Sequence, residues 1–160
     1  MNIFIVNSNP VIAAQELCDK HVVKMILESA QMLCSAFENG EAPYRRAYYN
    51  HPCTKWVRES QANYEWLLEH AYALCDEYFY RYDKSHKSIH AIAWCSNNSQ
   101  RLDLNQEIGL TPFTQAMPDE YKSDDTVQAY QDYYNGEKSY FAKWKKTRIP
   151  EWFKKPLDIT

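Results

Sequence analysis

The sequence predicts a mainly α-helical fold: one compact helical domain over residues 1–160, with two long helices, three shorter ones and a short extended N-terminal segment. Three observations carry that expectation. Proline-initiated helix starts stand at Asn9-Pro10 and Asn50-His51-Pro52, apolar residues recur at helical spacing in the stretches that follow, and only three glycines interrupt 160 residues. A chain of this length can bury most of the apolar surface it exposes when unfolded, so its core needs no disulfide or metal staple.

Met1-Asn2-Ile3-Phe4-Ile5-Val6 reads either as a short strand or as an apolar tail pinned into the core. Asn9 caps the first helix with Pro10 at its first position, where a missing donor costs nothing, and helical character runs to about Phe37 with one break near Cys18-Asp19. Asn39-Gly40 ends it. A polar, Tyr-rich connection leads to Pro52, where a second helix, with Asn50 as its cap, is expected to run to about Tyr82, roughly 45 Å if straight. A third helix is expected from Ser85 to Cys95, ending in a Ser96 to Ser99 loop. Residues Gly109 to Lys122 read as irregular structure, Ser123 to Asn135 and Glu137 to Lys145 as two short helices, and Trp152 and Phe153 as aromatics that dock the tail.

Composition excludes several function classes. With three glycines there is no Gly-rich phosphate loop, so any nucleotide must be recognised by side chains. The five cysteines form no C-x-x-C pair and read as buried thiols of a reducing compartment. No Asp-x-Asp spacing occurs, and neither a metal nor a cofactor is expected. The N-terminus has neither the basic flank nor the apolar length of a signal peptide, and no run approaches a membrane span, so a cytoplasmic protein without a membrane partner is expected. The net charge of −3 excludes a strongly basic duplex binder, although lysines and arginines cluster at Arg45-Arg46, Lys84 to Lys87 and Lys143 to Lys155. Thirteen Tyr and five Trp suit a dense helical core, or a surface that stacks on bases.

Two polar stripes stand out. On a helical wheel His21, Lys24, Glu28 and Gln31 fall within an arc of about 80°, on a helix that is otherwise apolar nearly all round. Such a stripe fits a helix lining a cavity. Desolvation there would raise the Glu28 pKa and lower that of Lys24, while their mutual attraction opposes both shifts. The simpler reading is a satisfied core histidine beside an ordinary i, i+4 ion pair. The second stripe, Glu59, Asn63, Trp66, His70, Glu77 and Arg81, fills an arc of about 60°. Its default reading is a solvent face, against which stand Trp66 and the mixture of Glu, Asn, His and Arg. Two such stripes facing one another would form a polar cleft. Around it, Lys20, His51, Arg58, Lys122, Tyr130 and Tyr134 are further candidates for substrate binding, with His51 beside a helix N-terminus suited to an anion and the tyrosines placed to stack.

Leu17-Cys18-Asp19-Lys20-His21, followed seven residues on by Glu28, resembles the Asp-x-His and catalytic Glu of the pyrimidine-dimer DNA glycosylase/AP-lyase family, the phage T4 endonuclease V-like enzymes. Tyr49-Asn50-His51-Pro52 is similar to the Asn-His-Pro segment of bacterial members, and Tyr133-Tyr134-Asn135-Gly136 is a weaker echo. The chain is also similar to uncharacterised phage proteins of like length, which implies a viral origin acting in a host cytoplasm. The resemblance implies an N-glycosylase, with AP-lyase activity, in which an N-terminal α-amine attacks the sugar C1′ and leaves a Schiff base while the Glu assists. That amine would be Met1, or Asn2 once Met1 is removed, beside Glu28, with His21 and Lys24 as further catalytic candidates and Lys24 as fallback nucleophile. An α-amine with a pKa near 7.7 to 8.0 is nucleophilic at neutral pH where an ordinary lysine is not. Family members set arginines around the Glu, whereas Leu27 precedes Glu28 here and the chain is slightly acidic. The expected substrate is therefore a damaged or modified base in DNA or on a nucleotide. The alternative is a non-catalytic nucleotide-binding protein that sequesters its ligand.

Overall fold

The computed structural model describes residues 1–156, and its regular structure is helical, with no β-strand among the described residues. Residues Ile3 to Val6 are fully buried but unpaired, an apolar tail pinned into the core. Helix α1 spans Pro10–Glu16, and the Asn9 side chain accepts from the backbone N–H groups of Val11 and Ile12 at 2.9 and 3.0 Å. The expected break comes at Leu17-Cys18. Its freed backbone groups find distant partners: Leu17 O accepts from Arg81, Cys18 N–H donates to the Tyr134 hydroxyl, and Asp19 N–H donates to Lys143 O. A break whose donors and acceptors are all satisfied elsewhere costs little.

Helix α2, Asp19–Ser35, is the central element and packs on the two helices α4, Gln61–Tyr82, and α5, Ile89–Asn98. Tyr64 of α4 reaches across to donate to Leu33 O at 2.9 Å. Helix α1 lies along the other side of α4, and α3, Pro52–Glu59, closes one end. All five cysteines are free and buried. No described helix is long and apolar enough to cross a membrane.

Three elements depart from the sequence expectation. The second long helix is two helices, because Ser60 turns extended and its hydroxyl caps the N–H of Asn63 while Gln61 N–H goes to Asn105 O. A buried serine that can restart a helix leaves the apolar spacing unchanged on either side, so periodicity alone runs through the break. Helix α5 continues to Asn98, and a short 3₁₀ turn, Ser99–Arg101, follows where a loop was expected. Near the end, α6, Thr126–Tyr133, runs into a π-helical turn, Tyr134–Lys138, and no helix forms between 139 and 145. That turn needs Gly136: a Cβ there would collide with the ring of Tyr121. The tail docks as expected, with Trp152 edge-on to Tyr134 and Phe153 against Trp144.

Candidate active site

Helix α2 sorts its polar stripe by depth. Glu28 and His21 are buried, Gln31 is half-buried, and Lys24 is exposed, because Val23, Lys24 and Leu27 form the outward face. The helix is thus less completely enclosed than its composition suggests.

The N-terminal residues come back over this helix. Asn2 organises the turn: its Oδ1 accepts from the N–H groups of Ile3 and Phe4 and from the Tyr130 hydroxyl, and its Nδ2 donates to Ala116 O at 2.8 Å. Phe4 follows in the left-handed region at φ +60, a conformation costly for a bulky side chain. Its ring lies stacked on His21 at 4.1 Å between centroids. The turn delivers two nitrogens to one carboxylate. The Met1 ammonium lies 3.5 Å from Glu28 Oε1, and Asn2 N–H donates to the same oxygen at 3.0 Å, while Lys24 Nζ stands 3.8 Å from Oε2.

Two cavities open on this group. One, of about 400 Å³, is bounded by Met1, Asn2, Glu28, His51, Tyr133 and Lys138. The other, of about 480 Å³, shares Met1, Lys24 and Glu28 and is completed by Leu27, Tyr48 and His86. A larger hollow of about 690 Å³, with Glu77, Trp152 and Arg148 on its walls, contains neither Glu28 nor the terminal amine. The amine and carboxylate therefore stand between two spaces large enough for parts of a ligand.

His51 enters the first cavity by an unexpected route. Its own Nδ1 accepts from Cys53 N–H at 3.0 Å, so the imidazole caps α3 and occupies the helix N-terminus expected to take an anion. Burial lowers its pKa, the terminal ammonium lowers it further, and Glu28 opposes both. Lys138 and Tyr133 also face this cavity, and Lys138 Nζ lies 5.1 Å from the centre of the Tyr133 ring. Lys138 was missed in the sequence; its only signal was its place at the end of the Tyr-rich segment after Tyr130. Tyr48 was likewise missed, lying in a stretch read as a connection, and His86 falls at the start of the helix expected from Ser85, where the chain forms no helix before Ile89.

Several candidates stand elsewhere. His21 lies beneath Phe4 and shares a short hydrogen bond with the Tyr134 hydroxyl; burial, then the positive charges of Lys138, Lys24 and Lys20, lowers its pKa to about 3. It is a neutral packing group outside both cavities. Tyr130 and Tyr134 are fully buried, with hydroxyls spent on Asn2, Thr114 and Cys18, so neither ring can stack on a ligand. Most of the second stripe is buried rather than solvated, and its partners lie in α1 and its flanks, in α3 and in the later loops rather than at Glu28. Asn63 bonds Trp56 O and Thr111, Trp66 Nε1 donates to Ser8 O, and His70 donates to Pro10 O. Arg81 donates to Glu77, Leu17 O, Asp19 and Gln15 O. Four of the six, Asn63, Trp66, His70 and Arg81, thus donate to backbone carbonyls that would otherwise be left unsatisfied as the helices pack. No cleft forms between the two stripes. Glu59 is exposed on α3, Arg58 is held against the Tyr49 ring and carbonyl, Lys20 lies over Phe141, and Lys122 pairs with Asp119. Gln31 alone of this group borders a cavity with Glu28.

Among the described residues no three potential metal ligands converge; the one H-x-x-x-H spacing, His86 to His90, has His86 Nδ1 occupied by Ser88 N–H.

Comparison with known proteins bears on the chemistry. The profile of a family described as pyrimidine dimer DNA glycosylase matches residues 1–90, more than half of the chain, and spans the terminal amine, Glu28, His51 and helices α1 to α4. No curated protein and no solved structure matches the chain.

Proposed function

Because the chain belongs to the pyrimidine dimer DNA glycosylase family, we propose that it is a DNA N-glycosylase with lyase activity that works through its terminal amine and Glu28. One observation supports this above the others: a terminal ammonium and a buried carboxylate 3.5 Å apart, opening on two cavities. The nitrogen of residue 2, which becomes the terminal amine if Met1 is removed, lies 3.0 Å from the same oxygen, so either form of the protein keeps the pair.

The amine, deprotonated, donates its lone pair to the sugar C1′, and the bond from C1′ to the base breaks with its electrons leaving on the base. Glu28 takes the proton shed by the new C–N nitrogen. Glu28 returns that proton to O4′ as the C1′–O4′ bond breaks and the sugar ring opens to an iminium. Its carboxylate is then free to take a C2′ proton, which expels the 3′ phosphate as the C3′–O bond breaks. Glu28 suits these transfers, since the Asn2 N–H holds its first oxygen beside the terminal ammonium while its second oxygen faces Lys24. Lys24, which borders both cavities, and Lys138, which borders the first, supply the cationic contacts that the resemblance gives to arginines near the Glu, and so take phosphates.

Borohydride reduction in the presence of an abasic duplex tests the reading. A covalent adduct that forms with wild type, persists in Glu28→Ala and disappears when the N-terminus is acetylated is the expected result. Absence of an adduct on every DNA form overturns the amine mechanism, and tight binding of an intact free nucleotide without turnover would replace it by sequestration.

A further inference from the structure

We propose that Tyr48 is the base-stacking residue of this site, its ring held at the rim of the second cavity to take the face of a nucleobase beside the reacting sugar. The inference rests on the reading of the site as a DNA glycosylase and adds the residue that engages the base. Tyr48 adopts φ +51, a left-handed conformation that bulky residues rarely adopt and that persists only where the surroundings impose it. Here they do. Ala47 N–H donates to Ser35 Oγ, His51 N–H donates to Tyr48 O at 2.9 Å, and Arg58 donates to Tyr49 O at 2.7 Å. The neighbouring Tyr49 ring is clamped between two guanidinium groups, Arg46 at 4.3 Å and Arg58 at 3.7 Å.

The Tyr48 ring itself is 68% exposed and, among the described residues, stacks on no aromatic ring and lies under no cation. The chain tolerates a strained backbone in order to hold an aromatic ring in water. What the ring overlooks gives the reason: it borders the cavity shared by Met1, Lys24 and Glu28, whose other wall carries the exposed aliphatic side chains of Val23 and Leu27. An aromatic ring and an aliphatic wall beside a cation match a nucleobase with its phosphate, and every base has a π-face to offer. Glycosylases must draw a base or sugar out of the stack, and a rigid aromatic ring at the reacting centre fills or covers the gap. Tyr140, more exposed still, rests against Phe141 and borders neither cavity that contains Glu28.

The test measures the affinity of the full chain for a duplex carrying one cyclobutane thymine dimer, over a range of salt concentrations. Loss of a stacking contact weakens binding by about ten-fold or more at every salt concentration and leaves the salt slope unchanged, whereas loss of a phosphate contact lowers the slope. Tyr48→Ala is expected to show the first pattern, and Tyr48→Phe to stay within about two-fold of wild type. Tyr48→Asn provides the control for folding, because asparagine tolerates the left-handed region: it should melt no lower than wild type yet bind as weakly as Tyr48→Ala. Equal affinity of Tyr48→Ala and wild type overturns the inference. Borohydride trapping in the same samples separates the two ideas, since wild type that binds but forms no adduct refutes the amine mechanism and leaves Tyr48 judged by affinity. Wild type that binds no DNA overturns both.

Discussion

Replacing Arg81 by Met should lower the melting temperature by several degrees and leave DNA affinity unchanged. The guanidinium is completely buried, and of its four hydrogen bonds, 2.8 to 3.1 Å long, three tie α4 to the Leu17 carbonyl at the break between α1 and α2, to the Gln15 carbonyl and to Asp19, while the fourth goes to Glu77 within α4. Removing one member of a buried ion pair typically costs about 3 to 5 kcal/mol. The lower end applies here. Asp19 keeps the N–H of Lys145, Glu77 keeps the hydroxyl of Thr147 at 2.7 Å, and the side chains of both carboxylates retain 11 to 19% exposure. A cost of about 3 kcal/mol in a domain of this size converts to roughly 6 to 12 °C. Calorimetry at neutral pH measures the shift, and DNA affinity measured well below the transition gives the second quantity. A melting temperature within about 2 °C of wild type, or weaker DNA binding without any change in melting, would show that the guanidinium faces ligand rather than α1.

Acid should destabilise the protein before its carboxylates titrate. Burial lowers the pKa of His21 to about 3 and that of His70 to about 4, both below the unfolded value near 6.5. The unfolded chain therefore binds protons that the fold refuses, so stability is complete above pH 6.5 and falls as pH drops toward 4, by up to about 1.4 kcal/mol per unit for each histidine; denaturant midpoints that stay flat between pH 7 and 5 would contradict this. Tyr134→Phe removes the partner of both Cys18 N–H and His21 and should cost about 1 to 3 kcal/mol in chemical denaturation, with KM for DNA unchanged because the ring is fully buried. Lys24→Ala and Lys138→Ala should each lower the slope of log affinity against log salt by about 0.9, and a slope equal to wild type would remove that lysine from the phosphate contacts.

Much of this architecture follows from local chemistry that can be read along the chain. Asn9 before Pro10 starts a helix because a side-chain acceptor and a proline at the first turn satisfy or remove free N–H groups wherever the segment is placed, and Pro52 opens α3 in the same way, although the cap there is His51 rather than Asn50. The 3.6-residue spacing likewise puts His21, Lys24, Glu28 and Gln31 on one side of α2. Spacing defines an angle on a cylinder, however, and does not say what lies against that angle. Glu28 meets the terminal amine only because a turn organised by Asn2 is held in place by Tyr130 and Ala116, far along the chain, and His21 is cut off from ligand only because Phe4 lies on it. The second stripe shows the same limit: His70 and Arg81 donate to backbone carbonyls of α1 and its flank, and those acceptors come into range only after the helices have packed. The sequence by itself therefore determined the helical class, the starts of α1 and α3 and the carboxylate around which a family resemblance gathers, but not the break at Ser60 or the end of the last helix. Tertiary structure alone decided which polar groups face ligand and which close the core, because burial is a property of pairs of segments and not of either one.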